Sequence, residues 1–221
     1  MAASLATSSE DVFINCPFDD DYASTFHALI FAIRACGFRP RCARELDDGG
    51  QPRIDKLYDI IRECRYGIHD ISRTQLDPTT QLPRFNTPLE LGIFMGAKRY
   101  ARPRKPEIRL LILDTEKYRY QKFISDIAGM DIHAHEGKAD TAIVATRTWL
   151  ANVSRRHLLG DKRLVNLYEH LKADIPTLAG SLGFDPGAIP YSDFDRMVES
   201  WLLDPGKPAT DRVESRKLGL P

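Results

Sequence analysis

The chain has 221 residues, 43% of them hydrophobic, with 31 basic and 31 acidic residues. This length is enough to bury one sizeable core and is short for two full domains. Because the charges balance, no overall field would draw the protein to nucleic acid or to an anionic membrane. Composition therefore favours a small-molecule or protein partner.

Targeting and cysteine patterns predict a cytoplasmic protein. Apolar runs such as residues 109–113 are far shorter than the roughly 20 residues that span a bilayer, and residues 1–10 lack a basic segment followed by an apolar one. The cysteines form no CxxC pair and no metal-ligand spacing, which is typical of reduced core thiols. They are Cys16, Cys36, Cys42 and Cys64.

Strand and helix patterns alternate five times. After a Ser/Ala-rich start, residues 11–16 have the character of a buried strand, and a helix with apolar positions at i, i+3, i+4 and i+7 follows until Gly37. Further strands are expected at 38–44, 66–71, 108–114 and 130–133, and helices at 54–61, 88–100 and 139–153, with a short helical piece at 121–127. The polar stretch 72–86 is a long connection, and such loops are often functional.

This alternation predicts an α/β fold, a flavodoxin-like three-layer sandwich with a five-stranded parallel sheet in the order 2-1-3-4-5. We expect a disordered N-terminus at 1–9, the α/β domain at 10–155, a helical extension at 156–204 and a disordered tail at 205–221. Trp201 and Leu202 give the extension an apolar edge. That edge packs inside the chain or forms a surface for self-association.

In a sheet of this order, a crevice opens at the carboxyl ends of strands 1 and 3. The segments 15–20 and 70–73 follow those strands, and the next helix begins beside them. A ligand site is therefore expected there, with a further arginine from the loop after strand 2. Its predicted members are Asn15, Cys16, Phe18, Asp20, Arg44, Asp70, Ser72, Arg73, Asn86 and Glu90.

Two roles are open for Glu90. With Thr87 and Pro88 it forms a capping-box pattern, in which the carboxylate only holds the helix start together. Alternatively, the positive end of the helix keeps the carboxylate ionised, and the anion stabilises an oxocarbenium-like state at a ribose C1′. Gly92 and Gly96 would let this helix lie close to the sheet.

Residues 66–72, 88–98 and 110–113 resemble the core of nucleoside 2-deoxyribosyltransferases, in which a strand ending in aspartate precedes a glutamate-leucine-glycine helix. They are also similar to the TIR and TIR-like domains of bacterial immunity, and residues 12–16 resemble the opening strand of those domains. The resemblance covers residues 11–153 and implies that Glu90 is catalytic. It further implies that NAD is a substrate rather than a cofactor, and that activity depends on a homo-oligomer or an activating partner. The segment 16–19 departs from the serine-rich first loop of TIR domains.

Each remaining candidate has a structural alternative. Asp70 could bind a ribose hydroxyl or form a turn. Arg44, Arg73 and Arg84 could bind phosphates or be solvated. The aromatic rings of Phe18 and Tyr22 could stack on a base or belong to the core.

Nucleophilic and metal chemistry are less favoured by the sequence. Cys16 could be a nucleophile, but no histidine partner can be assigned to it, so a buried thiol is favoured. A metal site begun by His133 and His135 on one strand face lacks further ligands of the right kind, so no metal is expected. No phosphate-binding glycine motif is present, which disfavours a dehydrogenase or a P-loop enzyme.

Three functions follow as expectations. The first is a TIR-like NAD glycohydrolase, an immune effector in antiviral defence, in which Glu90 stabilises the ribosyl cation. The second is a deoxyribosyltransferase-like enzyme in which Glu90 attacks C1′. The third is a non-catalytic nucleotide-binding or protein-interaction module in which Glu90 is only a cap.

Overall fold

The computed structural model describes residues 10–45, 48–101 and 107–204. The two segments predicted to be disordered, 1–9 and 205–221, lie outside the described residues. Within the described part, no helix has the length and apolar character needed to cross a bilayer.

One parallel sheet with helices on both faces forms the centre of the molecule. Its strands lie in the order β2-β1-β3-β4-β5 and every neighbouring pair is parallel, which confirms the predicted fold class and strand order. The strands are β1 (Asp11–Asn15), β2 (Arg39–Cys42), β3 (Tyr66–Asp70), β4 (Arg109–Asp114) and β5 (Ile132–Ala134). The helices are α1 (Ala23–Ala35), α2 (Arg53–Glu63), α3 (Asn86–Arg99), α4 (Ala139–Ser154), α5 (Asp161–Ser181) and α6 (Tyr191–Leu203).

The strand period of two divides the core between the faces of the sheet. Along β1, Val12 and Ile14 belong to the core cluster that includes residues of α1 and α4, whereas Phe13 packs with α2 and α3. All five residues of β1 are buried, as expected for a central strand of a parallel sheet that is covered on both faces.

The extension forms a further helical layer on α1 and α4. Helix α5 packs on α4 and α6 packs on α1, and the apolar faces of α5 and α6 join the same core cluster as that side of the sheet. Trp201 and Leu202 are 3% and 1% exposed, so the predicted apolar edge lies inside the molecule. The alternative of intramolecular packing is confirmed, and these two residues offer no surface for self-association.

Helix α3 approaches the sheet closely at Gly67 rather than at its own glycines. A Cβ atom at Gly67 would lie 2.5 Å from the ring of Phe94, whereas Cβ atoms at Gly92 and Gly96 would meet nothing within 4 Å. The prediction that Gly92 and Gly96 permit the close approach is therefore wrong. The small residue is on β3, and the large ring is on the helix.

Candidate functional site

The start of α3 excludes the capping-box role for Glu90. The helix begins at Asn86, and its N-cap residue is Phe85, which makes no side-chain capping bond. Thr87 and Pro88 therefore lie inside the first turn, and Glu90 lies two residues further along than a capping-box glutamate would. The carboxyl group is free for another role.

Glu90 is buried without a hydrogen-bonding partner. The residue is 8% exposed, and its carboxyl group makes no hydrogen bond or ion pair with any described residue. Burial raises the pKa of the Glu90 carboxyl to about 7, and the nearby charge of Arg53 partly opposes this rise. Desolvation is the largest effect on this carboxyl, and a pKa of about 7 leaves it only partly ionised at neutral pH, whereas the sequence predicted a fully ionised group.

Asn15 fixes the start of α3 to the sheet. Its Nδ2 donates one hydrogen bond to the Thr87 carbonyl, at 2.8 Å, and lies 2.9 Å from Nδ1 of His69 on the next strand. Burial lowers the pKa of His69 to about 3, so the imidazole is neutral and its Nδ1 can accept. The Asn15 amide, predicted to bind substrate, uses one N–H group to hold the start of α3 and the other to bond to His69 on β3.

Asp70 lies at the centre of a buried polar cluster. Its Oδ1 accepts from the Ser72 backbone N–H at 2.8 Å, and its Oδ2 accepts from the Tyr22 hydroxyl at 2.6 Å. Asp70 is 0% exposed and Ser72 2% exposed. The turn-forming alternative is confirmed for Asp70 and the core alternative for Tyr22, so neither presents a free surface to a ligand.

The two histidines of the His133-x-His135 pattern lie in different environments. His133 is exposed on β5, whereas the Nε2 of buried His135 lies 3.0 Å from Asp70 Oδ2, although its N–H does not point along a hydrogen bond. The expectation that both imidazoles lie on one face of a strand is wrong, because β5 ends at Ala134 and His135 is buried beyond it. Among the described residues, no group of side chains could hold a metal ion.

Cys16 is a buried thiol between the acidic residues of the site. Desolvation first, and then the negative charges of Asp70 and Glu90 among others, raise the pKa of Cys16 well above its ordinary value. A thiol with a raised pKa is a poor nucleophile at neutral pH. The structure therefore favours the core role of Cys16 and shows that it lies close to Glu90.

The predicted phosphate-binding arginines differ in what they contact. Arg73 is committed to carboxylates, since its Nη2 lies 2.7 Å from Asp19 Oδ1 and 3.1 Å from Asp21 Oδ2. Arg44 is exposed, donates to the Phe18 carbonyl at 2.9 Å and lies over the Phe18 ring at 4.6 Å. Arg84 is 4.0 Å from Asp77 and is largely exposed. Arg44 therefore remains a candidate for an anionic ligand group, and Arg73 does not.

The predicted residues form two neighbouring groups. Asn15, Cys16, Asp70 and Ser72 lie at the ends of β1 and β3, and Asn15 bonds to the first turn of α3, which carries Glu90. Phe18, Asp20 and Arg44 line a separate cavity against the extension. Asn86 is exposed at the first position of α3, beside the first group.

The sequence did not assign two residues to this site, since Arg53 was not considered and His135 was considered only as a metal ligand. Arg53 begins α2 and acts on Glu90, and His135 follows β5 and contacts Asp70. The one available signal for Arg53 is its position: it follows the loop after β2, and β2 ends at the same edge of the sheet as β1 and β3.

Comparisons with protein-family models, with curated proteins and with solved structures find no match. The function is therefore inferred from the chemistry of the site.

Proposed function

We propose that the crevice around Glu90 cleaves the N-glycosidic bond of a nucleotide, and that the substrate is NAD. The observation that carries this proposal is Glu90, which is only 8% exposed near the carboxyl ends of β1 and β3 and whose carboxyl group pairs with no described residue. Buried ionisable groups without a structural partner cost stability and are characteristic of functional sites. A cap or an ion pair would account for this carboxyl otherwise, and neither is present in the described residues.

Cleavage of NAD suits a site with a single carboxylate, because the nicotinamide ring of NAD is already cationic. As the bond from ribose C1′ to the pyridinium nitrogen breaks, its electron pair moves to nitrogen and neutralises nicotinamide, so the leaving group needs no proton. Positive charge develops on the ribose, and the Glu90 anion stabilises that charge more than it stabilises the substrate. Water then adds to C1′ and releases a proton, which gives ADP-ribose.

A deoxyribosyltransferase-like reaction is the second candidate. The raised pKa of Glu90 makes its ionised form more basic, which favours attack on C1′ to form a covalent glycosyl intermediate. The departing base leaves with the electron pair and takes a proton from solvent, and a second base then displaces the carboxylate and releases its own ring N–H proton to solvent. This mechanism uses the same residue on a neutral nucleoside.

A substrate panel separates these functions. The full chain is incubated at pH 8 with NAD, NADP, deoxyadenosine or thymidine, and with deoxyadenosine in the presence of free cytosine, and the products are identified by mass spectrometry. We expect free nicotinamide and ADP-ribose from NAD. Exchange of adenine for cytosine supports the transferase instead, and an unchanged panel supports the non-catalytic module.

A further inference from the structure

A cavity of about 290 Å³ lies between the sheet domain and the extension. One wall comes from the loop after β1 and from α1, and the other from residues 187–190 and the start of α6. Pockets that enclose a whole drug-sized ligand measure about 300–1,000 Å³. This cavity therefore suits a single ring system and not a whole dinucleotide.

Aromatic side chains contribute to both walls of the cavity. Phe18 and Phe26 meet edge to face with centroids 5.2 Å apart, and Tyr191 stacks on Phe26 at 6.0 Å. Phe194 completes this lining from α6. Aromatic walls of this kind favour a flat ring, because stacking adds to the burial of its faces.

His27 supplies the polar edge inside the cavity. Its ring stacks on Phe194 with centroids 3.9 Å apart, which fixes the plane of the imidazole. Neither ring nitrogen bonds to any residue that the structure describes. Burial, with help from the charge of Arg44, lowers the pKa of His27 to about 4. At neutral pH the ring therefore offers one donor and one acceptor, which complement an uncharged nitrogen heterocycle.

Arg44 is a cation on the rim of this cavity, beside the loop that begins with Cys16 after β1. It lines the cavity and donates to the Phe18 carbonyl at 2.9 Å, and its charge lowers the pKa of His27 and partly opposes the raised pKa of Cys16. A guanidinium in this position can bind the phosphates of a ligand that spans both sites. The exposed carboxylate of Asp20 lies on the same rim and can accept a bond from a ribose hydroxyl.

We propose that this cavity is a second subsite, which binds the adenine of the substrate while Arg44 binds its phosphates. The inference rests on the proposed function in one respect. If the nicotinamide end of NAD is cleaved at Glu90, adenine is the ring at the other end of the ligand. It gives the extension a role, since residues 187–194 form one wall of the site. The substrate class is accordingly an adenine dinucleotide rather than a free nucleoside.

Titration calorimetry of the full chain with AMP tests this subsite, because AMP has no nicotinamide bond and binds whether or not cleavage occurs. Ala188 lines the cavity from an exposed position, so Ala188→Trp fills the space without disturbing the core, and Ala188→Ser is the matched control. His27→Phe keeps the stack on Phe194 and removes both ring nitrogens. Circular dichroism and thermal unfolding verify that each variant is folded.

We expect Ala188→Trp to weaken AMP binding by more than about tenfold, and His27→Phe by about threefold to tenfold, as for one or two neutral hydrogen bonds. Ala188→Ser should bind within about twofold of the parent chain. Absence of AMP binding by the parent chain, or unchanged affinity in both folded test variants, overturns the subsite even if NAD is cleaved. Loss of AMP affinity in a chain that leaves NAD intact supports the subsite and contradicts the glycosidase.

Discussion

At the scale of single residues, the proposed site is defined by a carboxyl group that pairs with no described residue. Glu90 has no partner among the described residues, whereas neighbouring Asp70 accepts two hydrogen bonds and also contacts His135. The difference assigns different roles to the two acids. Asp70 holds the loops after β1, β3 and β5 together, and Glu90 is left available for chemistry.

Replacing Glu90 should stabilise the protein at alkaline pH. Its pKa is raised from 4.5 to about 7, so the unfolded chain ionises first and the stability of the folded state falls as pH rises between these values. Glu90→Gln removes this loss, by up to about 3 kcal/mol above pH 7 and by much less at pH 5. Urea unfolding of both chains at pH 5 and pH 8 measures it. A glutamine variant less stable than the parent at pH 8 would show that the carboxyl has a stabilising partner.

The pH dependence of cleavage should depend on Arg53. If ionised Glu90 is the active form, the rate rises with pH and has its midpoint at about 7. Arg53 lowers the pKa of Glu90, so Arg53→Gln should move the midpoint to higher pH. Arg62→Gln is the control, since exposed Arg62 pairs with Asp59 on the same helix. The role assigned to Arg53 fails if both variants keep the parent profile.

The sequence could predict some of these residues and not others. Glu90 was identifiable because a short glutamate-leucine-glycine segment follows a strand that ends in aspartate. The raised pKa was not, since it depends on how deeply α3 buries the carboxyl. The contact of Asp70 with His135 joins residues far apart in the chain, and no local pattern encodes it.

At the scale of elements, the position of Glu90 depends on how α3 sits on the sheet. Asn15 holds the first turn through the Thr87 carbonyl, and the ring of Phe94 packs over Gly67 and stacks on Phe13 with centroids 6.1 Å apart. These contacts lie on either side of Glu90 along the helix. A shift of α3 would therefore move the carboxyl relative to β1 and β3.

Gly67→Ala should displace this helix. The added Cβ would lie 2.5 Å from the Phe94 ring, and overpacking of this kind costs about 1–3 kcal/mol. Cleavage should fall with stability because Glu90 moves with α3. Gly92→Ala is the matched control, since its Cβ meets nothing within 4 Å and alanine favours a helix by about 1 kcal/mol. Thermal unfolding and turnover should both separate the two variants, and equal behaviour would contradict the packing described.

The boundary of α3 shows why helix starts are hard to predict. Proline is tolerated throughout the first turn because those N–H groups have no partner inside the helix. Pro88 is therefore compatible with the predicted start at residue 88 and with the observed start at Asn86. With the predicted start, Glu90 would be in the capping-box position, and with the observed start it is not. A shift of two residues in the start of the helix therefore decides whether Glu90 can be a cap.

At the scale of the whole molecule, the five alternations of strand and helix were enough to predict the sheet order, because right-handed crossovers leave few topologies. The place of the extension was not predictable, since it depends on contacts between distant parts of the chain. Arg34 of α1 donates to Asp195 at 2.6 and 2.5 Å and to Glu199 at 2.7 Å, both on α6. This cluster helps to hold α6 against α1, next to the cavity.

Arg34→Gln should loosen the extension. The Arg34 and Asp195 side chains are 14% and 13% exposed, so the loss lies between that of a surface pair and that of a buried pair, at about 2–3 kcal/mol. AMP affinity should fall as well, because α6 forms part of the cavity wall. Arg196→Gln breaks an exposed pair on the same helix and should change stability by less than about 1 kcal/mol. Urea unfolding measures the free energy of unfolding, and calorimetry measures the affinity for AMP. Equal values for the two variants would contradict this account.

The most direct test of the role of Glu90 is to measure nicotinamide release from NAD at pH 8. Mass spectrometry compares the parent chain with Glu90→Gln. The parent chain should release nicotinamide and ADP-ribose in equal amounts. The glutamine variant keeps the shape of the side chain but cannot become an anion, and it should be slower by at least about a hundredfold while remaining folded. A parent chain that leaves NAD intact, or a folded glutamine variant that turns over at the parent rate, would contradict the assignment of Glu90 as the group that stabilises the ribosyl cation.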